Sequence, residues 1–146
     1  MHIAIGSDHA GFFLKQRIKD HLVSLGHDPI DYGTDSSDSV DYPDYAHLVA
    51  DAVSYGRVRL GIVICGSGNG VNMSVNKHAA IRGVLSWIPE IARLGRAHND
   101  ANVLALPARF IEEEVALQVV DTFLQTPFEG GRHCTRVEKI SPGTNR

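Results

Sequence analysis

Cysteine is scarce. The 146-residue chain carries only Cys65 and Cys134, with no Cys-x-x-Cys spacing, which excludes a disulfide scaffold and argues against a structural zinc site. No apolar run approaches the roughly 20 residues that a membrane span needs. The opening stretch, MHIAIGSDHAG, reads as a strand and lacks the basic-then-apolar layout of a secretory leader. Basic runs are missing too. The formal net charge is -3, and no Lys/Arg cluster interleaves with aromatics, so neither nucleic acid nor an anionic membrane surface is an expected partner. Internal repeats, low-complexity tracts and dividing linkers are likewise absent. With 43% hydrophobic and 21% charged residues, the chain reads as one globular domain over residues 1–146, cytoplasmic by default.

What is present centres on residues 60–77, LGIVICGSGNGVNMSVNK. Ile62-Val63-Ile64 reads as a strand buried on both faces. It ends at Cys65 and passes through Gly66-Ser67-Gly68-Asn69-Gly70 into a helix expected over 71–77. Backbone N–H groups in such a turn, backed by the helix dipole, suit a phosphate or a developing oxyanion. A thiol beside a helix N-terminus can serve as base or nucleophile. The plain alternative is that Cys65 is a small buried hydrophobe. Nucleotide fingerprints do not fit: the third glycine of the dinucleotide motif would fall at Val71, and the Gly-Lys-Ser/Thr ending of a phosphate loop is missing.

Around this centre the chain alternates strands and helices. A first strand over 2–7 leads through Asp8-His9-Ala10-Gly11 into a helix over 12–25, with Phe13, Leu14, Ile18, Leu22 and Leu25 on one face and Gly26 as its cap. Asp8 and His9 stand at the carboxyl end of a strand, where α/β folds hold ligands. Asp8 is equally a helix N-cap, and His9 a solvated loop residue. A second strand spans 28–32, followed by a polar loop over 33–41. Tyr42-Pro43-Asp44-Tyr45 opens a helix to about 55, and Tyr42 either reaches a sugar hydroxyl or merely packs. A fourth strand spans 80–85, a helix 89–97, a fifth strand 103–106 and a last long helix 111–124. The cluster His98-Asn99-Asp100-Ala101-Asn102 precedes its strand, the wrong end of the sheet for this subunit's own ligand. That position suggests service to a neighbouring subunit or a loop folded far over. Arg132 and Arg136 are four residues apart; on a helix they form a cationic fork, and otherwise a solvated basic turn. The tail from Ser141 reads as frayed.

Taken jointly, Ser7-Asp8-His9-Ala10-Gly11, Asp41-Tyr42-Pro43, Cys65 to Gly70, Asn76-Lys77, Arg96 to Val103, and Glu129 to His133 with Arg136-Val137 resemble the ribose-5-phosphate isomerase B family. That family sits within the wider group of ribose and galactose phosphate isomerases, and the match runs from residue 1 to about 140. The resemblance implies a three-layer α/β/α sandwich on a five-stranded parallel Rossmann-like sheet. It also implies a homodimer with shared active sites, to which the segment from about 126 contributes; pairing of dimers into tetramers stays open. The implied reaction is aldose–ketose isomerisation of a sugar phosphate in the pentose phosphate pathway, with no metal or organic cofactor. The family uses either a strand-end cysteine or a glutamate after the glycine loop as base. With Cys65 present and Val71 at the glutamate position, this chain is similar to the cysteine variant.

Such a reaction needs a base within hydrogen-bond reach of the migrating proton and donors for the enediolate. Cys65 is the candidate base, with the N–H groups of Gly66, Gly68, Asn69 and Gly70 and the Ser67 hydroxyl around the oxyanion. By resemblance His98, with Asp8 across the cleft, opens the sugar ring, and Asn99 binds hydroxyls. The same resemblance places the phosphate on Arg132 and Arg136, assisted by His9 and Arg109, and draws His98, Asn99, Arg109, Arg132 and Arg136 from the partner. Ser67 stands where threonine also occurs, Pro107-Ala108 replaces a glycine often found before Arg109, and Cys134 has no assigned role. Ribose 5-phosphate is the leading substrate. The nearest alternative is a six-carbon phosphate such as allose or galactose 6-phosphate; a non-catalytic sugar-phosphate binding module and a nucleotide-binding signalling domain both stand well below the isomerase.

Overall fold

Continuous branched apolar runs need cover on both faces, and the chain supplies it with helices between strands. In the computed structural model, which describes residues 1–143, the strands are β1 His2–Ser7, β2 Asp28–Asp31, β3 Leu60–Cys65, β4 Gly83–Leu85 and β5 Val103–Pro107. They form one all-parallel sheet in the order β2-β1-β3-β5-β4. Every residue of β3 is buried. Ile62 is flanked by Ile5 and Leu104, and the next residue, Val63, by Gly6 and Ala105, so alternate positions feed two separate cores.

One core is covered by α1 (Phe12–Ser24), α4 (Pro89–Asn99) and α5 (Glu113–Gln125), through Ile18, Leu22, Ala92, Val119, Val120 and Phe123. The other is covered by α2 (Tyr42–Ser54) and α3 (Asn69–Val75), through Ala46, Val49, Ala50, Val71 and Val75. Helix, sheet and helix give the three expected layers. A short α6 (His133–Glu138) packs against the end of α4. Of the tail from Ser141, residues 144–146 lie outside the described residues.

Several boundaries move, each for a local reason. Gly68 turns the chain with φ +75°, so α3 begins at Asn69 and takes in Gly70. It stops at Val75, where the Asn76 side chain closes the last turn: its Nδ2 donates to the Asn72 carbonyl (2.9 Å) and its Oδ1 accepts from the Gly83 N–H (2.8 Å). β4 is shorter than expected because Asn102 substitutes for a strand partner: its Oδ1 accepts from the Arg82 N–H and its Nδ2 donates to the Ala80 carbonyl, both at 2.8 Å. Helix α4 continues through His98 and Asn99, ending at Asp100 in the left-handed region (φ 48°). On α1, Phe13 and Leu25 face solvent, and the buried stripe is Lys15, Ile18 and Leu22. Lys15 is wholly buried because its ammonium donates to Asp31 Oδ1 (2.7 Å) and the Thr34 carbonyl (2.5 Å). Burial alone pushes the Asp31 carboxyl up, but hydrogen bonds from Lys15, Lys19 and the Gly33 N–H hold it below the usual carboxylate value.

The sheet order reverses at β1, whose neighbours are β2 on one side and β3 on the other. The crevice outside the carboxyl ends of β1 and β3 is therefore the switch point where open α/β sheets bind ligands.

Candidate active site

Asp8 leaves the end of β1 and Cys65 ends β3, and the Asp8 N–H donates to the Ile64 carbonyl (3.2 Å), lashing the two strand ends together. A cleft of about 420 Å³ opens there, lined by Asp8, Tyr42, Cys65, Gly66, Ser67, Gly70, Arg109 and Phe110. Cys65 is 4% exposed, at the base of the cleft. Asp8 caps the turn that follows, its Oδ1 accepting from the N–H groups of Ala10 (2.9 Å) and Gly11 (3.2 Å), and it also lines the cleft. His9 faces the 33–41 loop, its Nδ1 accepting from the Val40 N–H at 3.2 Å.

The glycine loop forms the opposite wall. The Ser67 Oγ accepts from the Asn69 N–H (3.3 Å). The N–H groups of Ser67, Gly68 and Gly70 have no partner among the described residues and are free for a ligand. Tyr42 lies directly over Gly70, where a Cβ would stand 2.5 Å from the ring carbon Cζ. Only glycine lets the ring approach so closely. A second hollow of about 380 Å³, walled by Ser67, Asn69, Leu85, Trp87, Pro107 and Phe110, adjoins the first across Ser67 and Phe110. Phe110 and Trp87 carried no signal in the sequence beyond their size.

Arg109 is a correction. The resemblance drew it from the partner, but it lies in the chain's own cleft, its guanidinium packed beside Gly66. The turn after β5 fixes it there: the Ala108 N–H donates to the Cys65 carbonyl and the Arg109 N–H to the Gly66 carbonyl, each at 2.9 Å.

His98, Asn99, Arg132 and Arg136 do not join this cleft. His98 and Asn99 end α4, which leads directly into the amino end of β5, whereas Arg109 follows its carboxyl end. Five residues of strand, at about 3.3 Å each, put the two groups on the order of 15 Å apart. The buried Arg96 braces this end of α4, bonded to the carbonyls of Ala101 and Thr126. Arg132 immediately precedes α6 with helical dihedrals (φ -59°, ψ -20°) and Arg136 follows one turn later, so both exposed guanidiniums share a face. His98 stacks on His133, with ring centroids 4.2 Å apart. His133 is held below its usual value, first by burial and then by the nearby charges of His98 and Arg132. Glu129 lies beside both rings.

Fold and cleft thus define a doubly wound α/β protein with a thiol, a hydroxyl, free amides and an arginine converging at its switch point. The chain belongs to the Ribose/Galactose Isomerase family, whose model matches residues 3–140. It is 50% identical to ribose-5-phosphate isomerase B of Escherichia coli over 95% of this chain and 93% of that one. Its fold is similar to that of Clostridium thermocellum ribose-5-phosphate isomerase B (TM-score 0.95, 49% identity, covering 96% of this chain and 95% of that one). It is also similar to the Mycoplasma genitalium enzyme solved with bound ribulose 5-phosphate (TM-score 0.91, 42% identity, 95% and 93% covered). Among the described residues no helix is long and apolar enough to cross a membrane.

Proposed function

We propose that this chain interconverts ribose 5-phosphate and ribulose 5-phosphate in the cytoplasm, as a homodimer with shared sites. The observation that carries the reading is the division of its chemical groups. Cys65, Ser67, Asp8, Tyr42 and Arg109 surround one cleft, while His98, Asn99, Arg132 and Arg136 lie at the other end of the same sheet. A second copy related by a two-fold axis presents its far-end group to the first copy's cleft, and the reverse. The segment from about 126 then reaches across the interface.

In the aldose-to-ketose direction Cys65, as thiolate, removes the proton from C2 and leaves an enediolate charged at O1; the O2 hydroxyl proton then passes to O1, which moves the charge to O2. The enediolate oxygen lies against the free N–H groups of the 66–70 loop and the Ser67 hydroxyl; one such donor is worth roughly 3–4 kcal/mol in the transition state. The proton then returns at C1 and the C2 oxygen becomes the carbonyl. Before this, the partner's His98, with Asp8 across the cleft, opens the sugar ring, and the partner's Asn99 holds a hydroxyl. The phosphate is bound by Arg132 and Arg136 of the partner with Arg109 of the cleft and His9 beside the 33–41 loop, since paired guanidiniums match phosphate oxygens bidentately.

The test is ketose formation from ribose 5-phosphate by wild type and Cys65→Ala. A loss of 10²–10⁴-fold or more is expected for a removed catalytic base. Turnover that persists in the variant would remove Cys65 from the reaction. Turnover of allose or galactose 6-phosphate but not ribose 5-phosphate would transfer the assignment to the six-carbon sugars.

A further inference from the structure

The connection between α5 and α6 folds back onto the end of α4, where the Glu129 N–H donates to the Ala97 carbonyl (3.0 Å). That anchor places the Glu129 carboxylate beside two imidazoles: Oε2 is 3.7 Å from His98 Nε2 and 3.5 Å from His133 Nε2. The rings are nearly parallel, at 13°, with centroids 4.2 Å apart. His133 is the buried member and forms a floor, and His98 lies over it with its other face accessible.

Two histidines and a glutamate so close together have the composition of a metal site. Stacking argues against a chelate, because each imidazole lone pair lies in its ring plane and two parallel planes cannot both point at one ion. The arrangement instead orients a ring. At 3.7 Å the carboxylate acts on His98 Nε2 by charge rather than through a formed hydrogen bond: it favours the tautomer with the proton on that nitrogen and leaves the other nitrogen free to exchange a proton. Burial first, and then the neighbouring His98, Arg132 and Arg136, hold His133 below its usual value, which disfavours a charge on the inner ring of the stack.

We infer that Glu129 is a positioning residue for sugar-ring opening: it holds His98 as the Nε2–H tautomer on the His133 platform, so that Nδ1 faces the substrate bound to the other subunit. The inference rests on the reading of His98 as the ring-opening group. Opening breaks the C1–O4 bond, and its electron pair leaves on O4. The C1 hydroxyl gives up its proton as the carbonyl forms. A neutral imidazole with a free Nδ1 takes that proton and delivers it to O4, so atoms and charge balance without a co-reactant.

Ribulose 5-phosphate has its 5-oxygen esterified and is open-chain, so its exchange of a C1 proton with D2O needs Cys65 but no ring opening. Glu129→Gln keeps size and shape at a half-exposed position. It is expected to lower isomerisation of ribose 5-phosphate roughly 10- to 100-fold, the usual range for an orienting partner, with C1 exchange unchanged within about twofold. His98→Asn should show the same split more deeply. Isomerisation and exchange falling together in Glu129→Gln would make Glu129 a general structural residue, and neither falling would give it no role; both overturn the inference. Full isomerisation by His98→Asn would instead overturn the ring-opening role of His98 itself, whatever Glu129→Gln does.

Discussion

Gly68→Ala tests the geometry of the loop after β3. Gly68 sits at φ +75°, and a Cβ there would stand 2.4 Å from Leu85 Cδ1, 3.1 Å from the Leu106 carbonyl carbon and 3.2 Å from the Pro107 nitrogen. The left-handed conformation costs an alanine about 1–2 kcal/mol. The Leu85 side chain can turn aside, but the β5 backbone cannot, so overpacking adds roughly 1–3 kcal/mol. The total, about 2–5 kcal/mol, lowers Tm by roughly 4–20 °C at about 2–4 °C per kcal/mol for a domain of this size. Gly26→Ala is the matched control: φ is +83° but nothing lies within 4 Å, so it incurs only the first cost. Thermal unfolding at one fixed protomer concentration, since dimerisation contributes to Tm, should rank Gly68→Ala clearly below Gly26→Ala. Turnover should fall only in Gly68→Ala, because the loop it displaces carries the donors beside Cys65. Equal Tm losses, or wild-type turnover in Gly68→Ala, would refute the argument.

Arg132→Lys should raise KM for the sugar phosphate more than it lowers kcat, because a lysine keeps the charge and loses the bidentate fork; steady-state kinetics decide it. Lys15→Met should destabilise by roughly 1–3 kcal/mol in chemical denaturation, since it leaves the Thr34 carbonyl without its buried donor. His133, held below its ordinary 6.5, takes up a proton in the unfolded chain first. Stability should therefore fall as pH drops below about 6.5, and His133→Asn should flatten that slope.

The sequence was most informative where one chemical requirement dominated a stretch. A six-residue run buried on both faces can hardly be other than a central strand, and that assignment places Cys65 and the glycine loop at a strand end. Asp8 and Tyr42 follow from the same strand–loop–helix rhythm. The buried face of α1 is not legible from apolar spacing because Lys15 occupies its stripe, and a lysine is buried only when a distant carboxylate and carbonyl meet it. Polar residues before a strand read as a loop, whereas α4 persists through His98 and Asn99 until Asp100 adopts φ 48°. The position of Arg109 in the chain's own cleft is not legible because it depends on two backbone hydrogen bonds, from the Ala108 and Arg109 N–H groups to the Cys65 and Gly66 carbonyls. The Glu129–His98–His133 cluster joins residues from two elements and a connecting loop, and no local pattern announces it.

Subunit complementation tests the shared site most directly. Cys65→Ala and His98→Asn homodimers should each be nearly inactive on ribose 5-phosphate. After unfolding and refolding as an equal mixture, half of the dimers pair one of each, and each mixed dimer has one site with both residues intact. The account predicts recovery to about a quarter of wild-type turnover. A mixture no more active than its components would contradict a site built from two subunits.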